Sequence, residues 1–94
     1  MQMPPDMHAK VQGMIDTIMA EADKERSAAL ANAMIEAMVG HNNADGTAAL
    51  AAVVATMVAD LPDHRVAVWG SALLTMAVRL RDPVLHARGV AGHA

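Results

Sequence analysis

Residues 47–80 read TAALAAVVATMVADLPDHRVAVWGSALLTMAVRL, and two windows inside this stretch, 47–59 and 66–78, carry no charged residue. Each window is 13 residues long, well short of the roughly 20 apolar residues a membrane span needs. Leu61-Pro62 breaks the chain between them and Asp63 is a good helix N-cap. The stretch therefore reads as two apolar helices, about 48–60 and 64–81, folded back as a hairpin. In a chain of 94 residues, two such helices are more than the remaining sequence can cover, which points to burial against another chain.

The first helix of the pair has two faces. Leu50, Val53, Val54, Met57 and Leu61 form a bulky stripe. Ala48, Ala52, Ala55 and Ala59 form a small-residue stripe that lets another helix approach closely. Apolar on all sides, it is expected to be central, with Thr47 as its cap. The second helix carries Val66, Trp69, Leu73, Met76 and Leu80 on its core side. Val68, Ala72, Thr75 and Arg79 form the face expected toward solvent. Asp82-Pro83 ends this helix and opens a short one over 83–88, with Gly89 just beyond its end.

Working toward the N-terminus, His41-Asn42-Asn43-Ala44-Asp45-Gly46 is a turn cluster, and Gly40 stands where a helix ends. Before it, Met7, Val11, Met14 and Ile18 recur at helical spacing, flanked by Ile15 and Met19. A second apolar set follows at Leu30, Ala33, Met34, Ala37 and Met38. No Gly or Pro occurs between Met14 and Val39, so the spacing predicts one helix over about 6–39. The alternative is a split near residue 24, capped by Asp23 or Ser27. A 34-residue helix is about 50 Å long, against about 20 and 26 Å for the two that follow. The hairpin covers half of it, and the Met7–Met19 stripe is left for a second copy to complete. The expectation is thus an all-α single domain over 1–94: a long N-terminal helix, a helical hairpin and a short C-terminal helix, assembled as an intertwined homodimeric bundle. Its interface or core is expected at Met7, Val11, Met14, Ile18, Leu50, Val54, Met57, Trp69, Leu73 and Met76.

Composition narrows the function classes. There are 21 Ala, 10 Val, 9 Met and 7 Leu, one Trp and no Phe or Tyr. Trp69 alone is a poor platform for stacking bases or sugars, and its apolar neighbours make it a core anchor. The chain carries seven acids and three bases over 1–46, three acids and four bases over 47–94, and a net charge of −3. Arg79, Arg81 and Arg88 are only a fragment of a basic face, so nucleic acid is an unlikely partner. With no Cys, disulfides, thiolate nucleophiles and Cys-based zinc sites are excluded. The first residues have no basic n-region and no apolar h-region, which favours a cytoplasmic protein.

Candidate chemistry is sparse. Asp60, Asp63, His64 and Arg65 form the densest polar cluster, where a carboxylate could orient an imidazole. Capping by Asp63 and an ion pair between Arg65 and Asp60 account for it without catalysis. The cluster 41–46 has no acid at the offset a calcium loop requires. His8, His41, His64, His86 and His93 never fall at i,i+4 on a helix, so no metal or cofactor is expected. Met7, Met14, Met19, Met34, Met38, Met57 and Met76 serve either as core filling or as an adaptable groove for a partner helix. The sequence thus predicts a non-enzymatic protein that acts through contacts with itself and with another protein. Such a partner is expected on the acidic first half or at the Arg79–Arg88 end. A nucleic-acid-binding regulator and a sensor of a small apolar ligand at the dimer interface are the rivals.

Overall fold

The computed structural model describes residues 4–87. All regular structure among them is helical: α1 (Pro5–Glu21), α2 (Lys24–Met38), α3 (Asn43–Val58) and α4 (Asp63–Ala87). No helix among the described residues is long and apolar enough to cross a membrane.

The long N-terminal helix is corrected to two. Asp23 leaves the helical region (φ −88, ψ 126), and its carboxylate accepts a hydrogen bond from the Arg26 N–H at 2.8 Å. A short acidic side chain that can satisfy a free helical donor competes with continuation of the helix. Here that local bond ends α1 without help from Gly or Pro. Ser27, the other candidate cap, sits inside α2 and donates from its hydroxyl to the Asp23 carbonyl at 2.8 Å. The Arg26–Asp23 ion pair, at 3.9 Å with both side chains well exposed, adds little. Asp23→Ala is expected to cost about 1 kcal/mol in a urea melt. A loss below about 0.3 kcal/mol would remove the cap from this account.

At the other end of α2, Gly40 adopts φ 86, a left-handed conformation that costs an L-residue energy and glycine none. Backbone bonds from Val39 N–H to Glu36 and from His41 N–H to Met38 close the last turn, each at 3.2 Å. The cap of α3 is Asn42, not Thr47: the Asn42 side chain accepts from the Asp45 N–H at 2.8 Å. Asn42 is the first suitable acceptor after the glycine, so helix starts there and four of the six residues of the expected turn cluster, 43–46, are helical. Thr47 instead donates to the Asn43 carbonyl at 2.7 Å.

α4 is longer than expected and runs through Pro83, which corrects the separate helix over 83–88. A proline removes one N–H bond and crowds the preceding turn. With only one further turn to hold, among helix formers such as Leu80, Arg81 and Leu85, the helix tolerates it. Arg88, Gly89 and His93 lie outside the described residues.

The chain forms two compact units, Met1–Met19 with Asp63–Ala94, and Ala20–Pro62. In the first, Val11, Ile15 and Ala72 are buried, with Met7, Met14, Val68 and Met76 packed around them. Arg79 donates to the Gln12 side-chain oxygen at 3.2 Å, and the Gln12 amide donates to Asp16 at 2.9 Å. The inward face of α4 thus runs through Val68, Ala72 and Met76. This corrects the solvent face assigned to Val68, Ala72, Thr75 and Arg79: Ala72 is 0% exposed and Val68 and Thr75 are half-buried, while Arg79 is exposed as expected. Its small side chain lets α1 approach closely. A Cβ added at Gly13, on the same α1, would meet nothing within 4 Å. Gly13→Ala is therefore expected to stabilise the unit by about 0.5–1 kcal/mol, read as a raised urea midpoint. An unchanged or lowered midpoint would contradict the open surroundings of that position.

The second unit has no comparable interior. Gly46 is the one buried residue of α3, and α2 has none.

Candidate functional site

The hairpin of α2 and α3 presents its large apolar side chains outward. Leu30 (61%), Met34, Ile35, Met38, Val39, Leu50, Val53 and Met57 (62%) are all exposed. Val54, Val58 and Leu61 are half-buried. α3 is not central, as expected for an all-apolar helix. Its four stripe alanines, Ala48, Ala52, Ala55 and Ala59, are also exposed.

Near the turn, the two helices enclose a groove of about 460 Å³. Met34, Ala37 and Met38 form the α2 wall, and Gly46, Ala49, Leu50 and Val53 the α3 wall. Helical periodicity explains both. Positions 30, 34, 37 and 38 share one face of α2, and 46, 49, 50, 53 and 57 share one face of α3. Gly46 has a packing role: a Cβ there would stand 2.9 Å from the Met38 methyl carbon. The missing side chain lets Met38 lie across the start of α3. His41 and Asp45 supply the polar groups at the closed end of the groove. The rest of the lining is apolar and uncharged, so the groove is suited to apolar side chains.

The sequence-predicted interface residues fall in different surroundings. Met7, Val11, Met14 and Met76 belong to the packed interior of the first unit, so the Met7–Met14 part of the stripe is covered within the chain. Ile18 and Trp69 are half-buried. Leu73 is 37% exposed, at the edge of that interior. Leu50 and Met57 stand exposed on α3, and Val54 is half-buried there. The methionines divide accordingly: Met7, Met14 and Met76 fill a core, while Met34 and Met38 line the groove. Leu30, at 61%, is about as exposed as the predicted Met57, and Val53, at 42%, is exposed as well. Their stripes were visible in the sequence, but the long-helix reading assigned them to cover within the chain.

Asp60 belongs to the second unit, and Asp63, His64 and Arg65 to the first. Among the described residues none of the four side chains takes part in a hydrogen bond or ion pair. Asp63 is the first residue of α4 and not its cap. There its carboxylate complements the positive end of the helix. His64 and Arg65 line a shallow groove of about 890 Å³ with Lys10, Met7, Met14 and Val68, which is open and holds no buried polar group. Among the described residues no three His, Asp or Glu side chains come together as metal ligands would.

Comparison with protein families, with curated proteins and with solved structures gives no match to this chain.

Proposed function

We propose that the chain is a small non-enzymatic interaction protein, a homodimeric adaptor or subunit, whose two copies join through the α2–α3 hairpin. One observation carries this reading. Eight large apolar side chains of that hairpin are between 42% and 72% exposed, and none is buried. Contiguous apolar surface of several hundred Å² is uncommon on a soluble monomer and marks an interaction surface. Covering each of these half-exposed side chains stabilises an assembly by about 1 kcal/mol. A second copy is the occupant with the matching property. Its hairpin presents the same stripe, apolar except for His41 and Asp45 at the groove.

The test is the absolute mass in solution by light scattering after size exclusion, repeated over a hundredfold dilution. A mass twice that of the 9.8 kDa chain that persists on dilution supports the reading. A monomer at every concentration overturns it. A second reading, the binding of a small apolar ligand, is favoured by the groove volume, which lies within the usual range for ligand pockets. An apolar compound that raises the melting temperature of a monomer would support it.

A further inference from the structure

One contact at the turn of the α2–α3 hairpin combines burial with access from solvent. Gly46 is the one buried residue between Ala20 and Pro62, and the Met38 methyl carbon lies over it. A Cβ at position 46 would stand 2.9 Å from that methyl, so glycine is what allows the contact. Met38 is also the last residue of α2, and its carbonyl accepts from the His41 N–H at 3.2 Å. Its side chain thus joins the end of α2 to the start of α3. The residue is nonetheless 45% exposed, so a small molecule in solution reaches it.

We propose that Met38 is an oxidant-sensitive clasp of the hairpin, and that its conversion to the sulfoxide by a peroxide loosens α3 from α2. In that step a sulfur lone pair attacks one oxygen of hydrogen peroxide, and the S–O bond forms as the O–O bond breaks. Sulfur gives up two electrons. The departing hydroxide takes the proton of the transferred oxygen and leaves as water. A flexible apolar thioether becomes a polar, chiral sulfoxide. The new oxygen sits on the atom that carries the methyl resting on Gly46. Either that oxygen is drawn toward the buried glycine, where a polar group without a partner is unfavourable, or the side chain turns outward and the methyl contact is lost.

The other methionines differ from Met38 in access or in what oxidation would disturb. Met7, Met14 and Met76 are half-buried in the first unit and react more slowly. Met19, Met34 and Met57 are exposed and open to the same reaction. Of all the side chains, only that of Met38 comes within 4 Å of the place a Gly46 Cβ would occupy. Both sides of the contact belong to one chain, so the inference goes beyond the proposed dimer and does not depend on it. Pairing through the hairpin would cover Met38 and slow its oxidation, which is why the lowest concentration of the dilution series is the one to use.

The test treats the protein with hydrogen peroxide, locates the sulfoxides by peptide mass spectrometry and follows amide hydrogen exchange over residues 46–53. Met38 is expected to oxidise ahead of Met7, Met14 and Met76, and exchange over 46–53 to quicken about three- to tenfold. Reduction by a methionine sulfoxide reductase with a thiol should return exchange to its starting rate. Met38→Leu conserves volume and apolar character but offers no sulfur. Its exchange is expected to stay unchanged under peroxide, although Met34 and Met57 still oxidise. A Met38 that reacts no faster than the half-buried methionines would overturn the proposal. Unchanged exchange once Met38 is the sulfoxide would do the same, as would a Met38→Leu protein that peroxide opens equally far. Every readout lies within a single chain, so a monomeric mass would overturn the dimer and leave these outcomes standing.

Discussion

Leu50→Glu is expected to leave the chain monomeric at concentrations where the unchanged protein is dimeric, weakening association at least 100-fold. Leu50 is 53% exposed in the single chain and lines the groove near mid-hairpin. In the monomer the carboxylate would stand in water on the surface of α3, where glutamate is a good helix former. The folded single chain is therefore barely affected. In the proposed dimer the same carboxylate would be enclosed by Met34, Met38 and Val53 and by the apolar surface of the second hairpin. It would lose its hydration with no cation to receive it. Desolvating an unpaired charge costs several kcal/mol, and every 1.4 kcal/mol is a factor of ten in affinity. Light scattering would show the mass halved, and the melting temperature would no longer depend on protein concentration. Leu74→Glu is the control. Leu74 is 68% exposed on α4, in the other unit, and its replacement should leave the mass unchanged. A Leu50→Glu protein that stays dimeric would place the interface elsewhere. Loss of the dimer in both variants would mean that any added charge disperses it.

What the sequence reveals here depends on whether a signal is local or shared between helices. Helical character was legible throughout, because periodic apolar stripes are a property of each segment by itself. Gly40 as the end of a helix was legible for the same reason, since a left-handed glycine after an apolar run is a local signature. The break at Asp23 was harder to see. The residues around it are good helix formers, and the deciding term is one side-chain hydrogen bond. The competition between Asn42 and Thr47 as caps was of the same kind: both side chains can accept, and chain direction after Gly40 selects the first. Which face of α4 turns inward was legible only in part: Met76 was read as core and packs there, whereas Ala72 and Val68 were read as facing solvent. Its bulkier stripe, Val66, Trp69, Leu73, Met76 and Leu80, has the larger hydrophobic content, yet close approach to α1 is governed by where a small residue falls. The excess of apolar surface was plain from two uncharged windows. Its location was not, since the long-helix reading placed the uncovered stripe on Met7–Met19 when the chain leaves α2 and α3 uncovered.

Ala72→Leu separates the two assignments of that α4 face and is expected to destabilise the first unit severely. Ala72 is 0% exposed, with Val11 and Ile15 buried beside it. A leucine there has no open volume to enter. It must push α1 away or adopt a strained rotamer, at a cost of about 1–3 kcal/mol. The complementary change, Ile15→Ala, empties the other side of the same contact and is expected to cost about 2–4 kcal/mol through lost burial and a residual cavity. In a domain below 100 residues, each kcal/mol lowers the melting temperature by about 4–8 °C. Ala72→Leu should therefore melt at least about 4 °C lower, and Ile15→Ala at least about 8 °C lower. If Ala72 instead faced water, leucine would be harmless there, since it is a good helix former and a surface change of this kind moves stability by no more than about 0.5 kcal/mol. Leu74→Ala, on the exposed side of the same helix, supplies that reference. A melting temperature for Ala72→Leu indistinguishable from Leu74→Ala would reject the Val11–Ile15–Ala72 core. The expected gap also bears on the dimer. With the first unit holding a core of its own, the uncovered stripes of α2 and α3 are the apolar surface that the proposed dimer would cover.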